Sequence, residues 1–342
     1  NPFFAYAAYS APHWPLQAPD HYIKKYKDNY HVGYRAIKSK RLENMKKMGL
    51  VQEHLYPVES NLWPRWSQLD EITKLEEAKK MAVYAAMVEA LDFHIGRLVN
   101  FLDKSDLLQD TIIIFLSDNG AEGNDPSVIL ENARWIPRNF NNSIENMGRA
   151  DSHISYGPRW AEVSATPFKN FKAFPSEGGI ISPAFITYPK FKRQGMINNA
   201  FSSVMDIAPT LLDIANTTYP ENIYKGMEIY PLKGKSMIDF LMERRNEIHS
   251  DQYVMGWELF NRGALRQGIW KIVFIEKPNG NGEWSLYNLK EDPLEQNNLA
   301  NINKDKLEEM LMLWNQYKKD NGVIIDEELD LGYSGSNNHF SK

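Results

Sequence analysis

Residues Thr111–Gly120, TIIIFLSDNG, run from an apolar strand straight into a polar turn, and no other stretch constrains the fold as much. Thr111 to Leu116 is β-branched and aromatic with no charge, the pattern of a strand buried on both faces of a parallel sheet. Ser117, Asp118, Asn119 and Gly120 then fall at the strand's carboxyl end, where open α/β sheets gather their ligand sites. Asp118 offers a carboxylate and Asn119 a carbonyl oxygen, the hard donors that Ca²⁺ or Mg²⁺ prefers. Gly120 reads as supplying turn dihedrals that would strain another residue. Asp-Asn-Gly is also an ordinary turn signal, so the stretch alone leaves a plain turn open beside a metal site.

A parallel strand needs a crossover connection, and the chain offers one. Met81, Tyr84, Val88, Leu91, Ile95, Leu98 and Leu102 recur at spacings of three and four, a single apolar stripe that predicts a helix over Glu71–Lys104. His94 on that helix reads as structural. Upstream, Asp20–Leu50 reads as helical with a solvated charged face, and residues 53–70 as an aromatic, Pro-rich loop. Ile180–Tyr188 reads as the next core strand. Phe201–Asn216 reads as an amphipathic helix with Val204, Ile207, Leu211 and Ile214 on one side. Residues 124–164 show little periodicity, and a loop of that length is usually functional or disordered.

After Lys235 the texture changes. A helix over Ser236–Arg245 precedes short strands at Gln252–Glu258, Ala264–Gln267, Trp270–Ile275 and Trp284–Asn288. Turns at Asn261–Gly263 and Asn279–Gly282 argue for an antiparallel sheet. A helix over Lys304–Asn321 would cover one face of it. The division expected is a main α/β unit over 1–245, an antiparallel-sheet subdomain over 246–325, and a flexible tail over 326–342.

Two further segments hold residues suited to chemistry. His13 sits in Ala11–Pro19, a loop stiffened by Pro12, Pro15 and Pro19, where a plain surface histidine is the competing reading. Lys169 and Lys172 lie in Thr166–Pro175, and an exposed lysine is the commoner case for each.

Six stretches, in order, resemble the type I sulfatases, the alkaline-phosphatase-like family of sulfate-ester hydrolases. They are APHWPLQAP (Ala11–Pro19), TIIIFLSDNGAEG (Thr111–Gly123), TPFKNFKAFPSEGGIISPAFI (Thr166–Ile186), VMDIAPTLLDIA (Val204–Ala215), ALRQGIWKIVF (Ala264–Phe274) and LYNLKEDPLEQNNLA (Leu286–Ala300). The first is similar to the bacterial arylsulfatase segment with an active-site histidine, the second to the family's metal-binding segment and the third to its segment with an active-site lysine. The resemblance implies an α/β fold: part of an alkaline-phosphatase-like mixed, mainly parallel sheet flanked by helices, with a small C-terminal α+β subdomain. It makes His13 an active-site histidine and Lys172, a few residues before Glu177-Gly178-Gly179, the active-site lysine. It makes Asp118 and Asn119 ligands of Ca²⁺, or alternatively Mg²⁺. The stretch NMGRADSHISYGPRWAEV matches a region bordering the substrate pocket, so His153, Tyr156 and Arg159 become pocket candidates.

The departures carry equal weight. The family's nucleophile is a formylglycine made from Cys or Ser in a C/S-x-P-S-R motif, which does not occur here, and the chain has Cys 0. The paired N-terminal aspartates of the metal site and the lysine-x-histidine pair are also missing. Asn1–Tyr9 opens at once on a strand-like aromatic run. The expectation is therefore the C-terminal part of a sulfatase, cut internally at position 1 and inactive alone, with the nucleophile-bearing N-terminal half as its partner. The parent protein is expected in the periplasm or outside the cell. Two rivals stand beside it: a phosphonate monoester or phosphodiester hydrolase of the same superfamily, and a non-catalytic binding domain derived from a sulfatase.

Composition sets outer bounds. Hydrophobic residues at 43% and charged at 24% suit a globular core, and a net charge of −5 gives no reason to expect nucleic acid or an anionic membrane as partner. No apolar run approaches the roughly 18 residues of a membrane span.

Overall fold

The computed structural model describes residues 2–57, 63–128 and 130–325, so the expected tail over 326–342 and residue Asn1 lie outside it. The amino-terminal part is helical: α1 (Asp20–Tyr26), α2 (Tyr34–Lys47) and α3 (Glu71–Lys104). Next come β1 (Ile113–Leu116), α4 (Leu130–Asn139), α5 (Gly157–Ser164), the single turn α6 (Glu177–Ile180) and β2 (Ala184–Thr187). Then follow α7 (Ile207–Ile214), a short ribbon of β3 (Ile223–Tyr224) and β4 (Met227–Glu228), and α8 (Ile238–Leu241). The chain closes with β5 (Val254–Leu259), β6 (Arg262–Gln267), β7 (Trp270–Phe274), β8 (Trp284–Asn288) and α9 (Lys304–Asn321).

Helix α3 spans the residues its periodicity predicts, and Asp70 caps it by accepting the Thr73 N–H at 2.8 Å. The buried face differs from the expected stripe. Ala78, Met81, Ala82, Val83, Ala86 and Met87 are buried, whereas Val88 is 41% and Leu98 43% exposed. The reason lies in the partners. Ties from other segments meet α3 between Glu77 and Glu89: Trp160 Nε1 donates to the Glu77 carbonyl and Lys25 pairs with Glu89. Small alanines there admit close packing; from Val88 to Leu98 the apolar stripe is partly or largely exposed, and it is buried again at Leu102. The helix expected over Asp20–Leu50 is split into α1 and α2, with Gly33 at φ 84 between them and Trp66 packed where its side chain would be.

Strand β1 is not buried on both faces. It pairs antiparallel with β2, Ile113 opposite Thr187 and Leu116 opposite Ala184, and has no second neighbour among the described residues. One face reaches the Phe191, Phe240, Leu241 and Ile248 cluster through Ile186, while Phe115 and Phe185 stack at 5.3 Å on the other, with Phe185 54% exposed. Among the described residues every strand pairing is antiparallel. The strand expected in the first nine residues also differs. Phe3, Phe4 and Tyr6 are exposed and belong to no strand, since no partner among the described residues offers them a ladder. The apolar side expected for α7 is likewise turned outward at Val204 and Ile214, and its fully buried residue is Thr210.

The carboxyl-terminal sheet is a four-stranded antiparallel meander in the order β5-β6-β7-β8. Its first turn sits on Phe260 and Asn261, both at positive φ, rather than on the expected Asn261–Gly263; Gly263 is a strand residue lying under Trp314. The two-residue period gives the sheet two buried faces. Leu265, Ile272 and Leu286 face α9, where Met310 and Trp314 close the core. Ala264, Val273 and Tyr287 face the other way, and so do Arg262 and Lys271. These two buried cations meet the 169–177 segment. Lys271 Nζ lies 2.6 Å from Glu177 Oε1 and 2.8 Å from Glu295 Oε1, and the Glu177 N–H donates to Glu295 Oε2 at 3.0 Å. Arg262 is bidentate to Glu276 and donates to the Ala173 carbonyl at 2.9 Å, with its guanidinium over the Phe174 ring.

Candidate active site

The loop that carries His13 is fastened at its far end. Leu16 is buried in the main core, its N–H donates to the Ile154 carbonyl at 2.9 Å, and the Ala18 N–H donates to the Gly148 carbonyl at 2.9 Å. His13 Nδ1 lies 2.7 Å from the Trp14 carbonyl. A carbonyl only accepts, so Nδ1 carries a proton and Nε2 is the atom presented outward.

Lys172 is aimed by alternation. Phe171 and Phe174 are buried in the main core and pack edge-to-face at 5.2 Å, which turns Lys172 out between them. The backbone needed for this is unusual, with Asn170 at φ 62 and Ala173 at φ 76. The Lys172 N–H donates to the Ala121 carbonyl at 2.9 Å, and so ties the lysine segment to the Asp-Asn-Gly segment.

The same two segments are stitched twice more. The Ser117 N–H donates to the Pro183 carbonyl at 3.1 Å and the Gly120 N–H to the Gly179 carbonyl at 3.0 Å. Gly120 is needed for a different reason from the dihedral expected. Its φ is not positive; instead, a Cβ there would collide with the Gly178 carbonyl oxygen. Gly179 is under the same restraint from the Phe174 carbonyl.

His13 and Lys172, 159 residues apart, converge on a carboxylate that the sequence reading passed over. Glu122 Oε2 lies 2.7 Å from Lys172 Nζ and 3.3 Å from His13 Nε2, and the two nitrogens are 3.5 Å apart. The Glu122 side chain is only 8% exposed and its Oε1 accepts the Asn124 N–H at 2.8 Å. In sequence Glu122 is one acid between a small residue and a glycine, and its burial is what marks it out. Lys169 turns elsewhere, to the Tyr287 hydroxyl at 3.3 Å and the Glu295 carbonyl.

Asp118 is exposed and Asn119 half-buried beside this cluster in sequence. Asn119 Nδ2 donates to the Gly120 carbonyl at 3.0 Å, which leaves its Oδ1 as an acceptor. Two hard oxygens fit part of a Ca²⁺ or Mg²⁺ shell but fall short of the roughly six to eight ligands Ca²⁺ takes. Among the described residues no group of three or more His, Cys, Asp or Glu side chains comes within reach of one ion.

The three pocket candidates are distributed differently. His153 lies one aromatic step from His13: Trp14 is 4.8 Å from the His13 ring and 5.8 Å from the His153 ring. Tyr156 is a core residue, stacked on Tyr84 at 4.6 Å and 5°. Arg159 is drawn inward, donating to the Pro64 carbonyl at 2.8 Å, to the Trp63 carbonyl, and to Glu162 at 3.2 Å. Burial, the Tyr84 hydroxyl and the Glu122 carboxylate together raise the Tyr156 hydroxyl above its ordinary value, so Tyr156 borders the His13–Glu122–Lys172 cluster from the core side.

This chain has the architecture of the alkaline-phosphatase-like hydrolases. A family model described as Sulfatase matches residues 1–217, and one described as N-sulphoglucosamine sulphohydrolase, C-terminal, matches residues 170–320. The chain belongs to the sulfatase family, among the type I sulfatases. It is 39% identical to an uncharacterized sulfatase of Schizosaccharomyces pombe, over 94% of this chain and 58% of that protein. It is 35% identical to the arylsulfatase of Klebsiella aerogenes, over 69% of this chain and 51% of that protein. A solved structure of a protein in complex with its substrate D-glucosamine-2-N,6-O-disulfate aligns with a TM-score of 0.51 at 20% identity, over 92% of this chain and 55% of that one. That likeness speaks for the fold. The chain spans about half the length of these relatives. No helix among the described residues is long and apolar enough to cross a membrane.

Proposed function

We propose that this chain supplies the anion-binding and leaving-group side of an arylsulfatase-like hydrolase, which converts a sulfate ester to an alcohol or phenol plus sulfate. The observation that carries this reading is the convergence of His13 Nε2 and Lys172 Nζ, 3.5 Å apart, from positions 159 residues apart in sequence. Hydrolysis of a sulfate ester spreads negative charge over the sulfuryl oxygens and the departing oxygen, and fixed cations stabilise that charge as it develops. Lys172 would bind a sulfuryl oxygen. His13, its Nδ1 committed to the Trp14 carbonyl, would present Nε2 to the leaving oxygen as a general acid.

Asp118 and Asn119 would hold Ca²⁺, or alternatively Mg²⁺, whose charge draws in and polarises the sulfate when it is bound. The nucleophile would be a formylglycine on a segment outside these residues, since the chain has Cys 0 and no C/S-x-P-S-R motif. The partner in this reading is that nucleophile-bearing half of the fold, and it would also cover the open Phe115–Phe185 face. The parent protein would act in the periplasm or outside the cell, as expected from the family.

The test is hydrolysis of p-nitrophenyl sulfate by these residues joined to the nucleophile-bearing half. Turnover of a phosphonate monoester with none of the sulfate ester would overturn the sulfatase reading.

A further inference from the structure

We propose that Glu122 is an internal counter-ion: its carboxylate holds the Lys172 ammonium beside His13 Nε2 and competes with sulfate for them. The inference rests on the reading of that site as a sulfate-ester site.

Three observations lead to it. The carboxylate is built in rather than drifting, because its side chain is 8% exposed and Oε1 is fixed by the Asn124 N–H at 2.8 Å. The oxygen left over, Oε2, faces both donors, Lys172 at 2.7 Å and His13 at 3.3 Å. Those donors are themselves more accessible, with side chains 24% and 41% exposed, so an anion arriving from solvent meets them already engaged. Lys172, His13, the Asn124 N–H and, from the core, the Tyr156 hydroxyl are among the groups that face the carboxylate.

The chemistry gives the arrangement two opposed effects. A buried carboxylate keeps the Lys172 ammonium in place beside His13 Nε2 when no substrate is present. The same charge opposes any second anion brought to the same groups, and the opposition is strong where water is partly excluded. Static sulfate binding is therefore weakened, and product sulfate leaves more readily. The same site without such a group would hold its product.

The experiment is titration calorimetry of inorganic sulfate into the full 342-residue chain, in EDTA, with three variants. Glu122→Gln should bind sulfate at least tenfold more tightly than the unaltered chain, and Glu122→Asp, which keeps the charge, should stay within about threefold of it. Adding Lys172→Ala to Glu122→Gln should abolish the gain. Thermal melts establish that each variant is folded; should Glu122→Gln unfold, Glu122→Asn replaces it. Equal, weaker or undetectable sulfate binding by the folded neutral variant overturns the proposal, as does a gain in Glu122→Asp as large as in Glu122→Gln. The sulfatase reading falls on another measurement, hydrolysis of p-nitrophenyl sulfate, so the two can fail separately.

Discussion

Lys271 and Glu177 form an ion pair at 2.6 Å with no solvent access to the lysine side chain, and they join the carboxyl-terminal sheet to the turn that backs the candidate site. Glu295 completes the clasp from a third segment. Burial by itself would push the Lys271 ammonium down, but the two carboxylates outweigh it and hold the group above the ordinary lysine value.

Replacing Lys271 with Met should therefore destabilise the chain by about 3–5 kcal/mol in urea melts at neutral pH, because two buried carboxylates lose their partner. The folded ammonium titrates above the unfolded one, at about 10.4, so its contribution is complete below that pH and fades as pH climbs through the folded value. Between about pH 8 and about pH 11 the unaltered chain should lose more stability than Lys271→Met. Parallel losses would remove Lys271 as the source.

Gly120→Ala should cost about 1–3 kcal/mol, since the new methyl meets the Gly178 carbonyl with backbone on both sides and nothing flexible to yield. Gly49→Ala is the comparison: its surroundings are open, and only its φ of 72 is unfavourable. A smaller loss at Gly120 than at Gly49 would mean that the two segments are not held as tightly as their hydrogen bonds imply.

In the protein joined to its nucleophile-bearing half, His13→Ala should lower kcat for p-nitrophenyl sulfate by about 10²–10⁴, the usual size of a general-acid contribution. Lys172→Ala should lower it by about 10²–10³ as a lost charge stabiliser. Both variants should remain folded; Lys172→Ala should melt at a lower temperature, because it leaves the buried Glu122 carboxylate without its nearest cation. Turnover unchanged in either would assign that residue to structure.

The 342 residues alone should not hydrolyse p-nitrophenyl sulfate, with or without Ca²⁺. The surviving groups act only on charge that a nucleophilic attack creates, and removing the attacking group takes most of the catalysis with it. Metal-dependent turnover by the chain alone, at a rate near that of the joined protein, would show that the nucleophile lies among these residues.

Much of this was legible in the sequence where a pattern has a single physical solution. Helices α3 and α9 coincide with their periodic segments, and the four strands β5–β8 fall where turn residues punctuate apolar runs. Lys172 could be told from Lys169 only through the family resemblance, which implies a lysine a few residues before Glu177-Gly178-Gly179, and it is the one that reaches His13. What failed depended on neighbours. The stripe on α3 names apolar residues but not which of them will find a partner, and Val88 and Leu98 on it are exposed. Thr111–Leu116 looks the same whether its flanks are covered or open. Glu122 stayed hidden because an acid becomes informative only when burial forces it to find cations, and burial is a property of the folded chain. Arg159 shows the converse: a cation in a promising stretch that is used up on the Trp63 and Pro64 carbonyls.

The 169–177 segment bears on both sides at once, with Lys169 fastened to Tyr287 and Lys172 turned to His13 only three residues later. This decides how a chimera with a related protein must be cut. The change of texture near residue 245 looks like a natural junction, yet a graft made there would bring in a foreign sheet facing native Ala173, Glu177 and Lys169. Arg262, Lys271 and Glu295 would have to be matched in the donor, or the 169–177 segment transplanted with its own sheet. The exchangeable module is discontinuous in sequence, and its seam runs through a set of buried charges rather than through a linker.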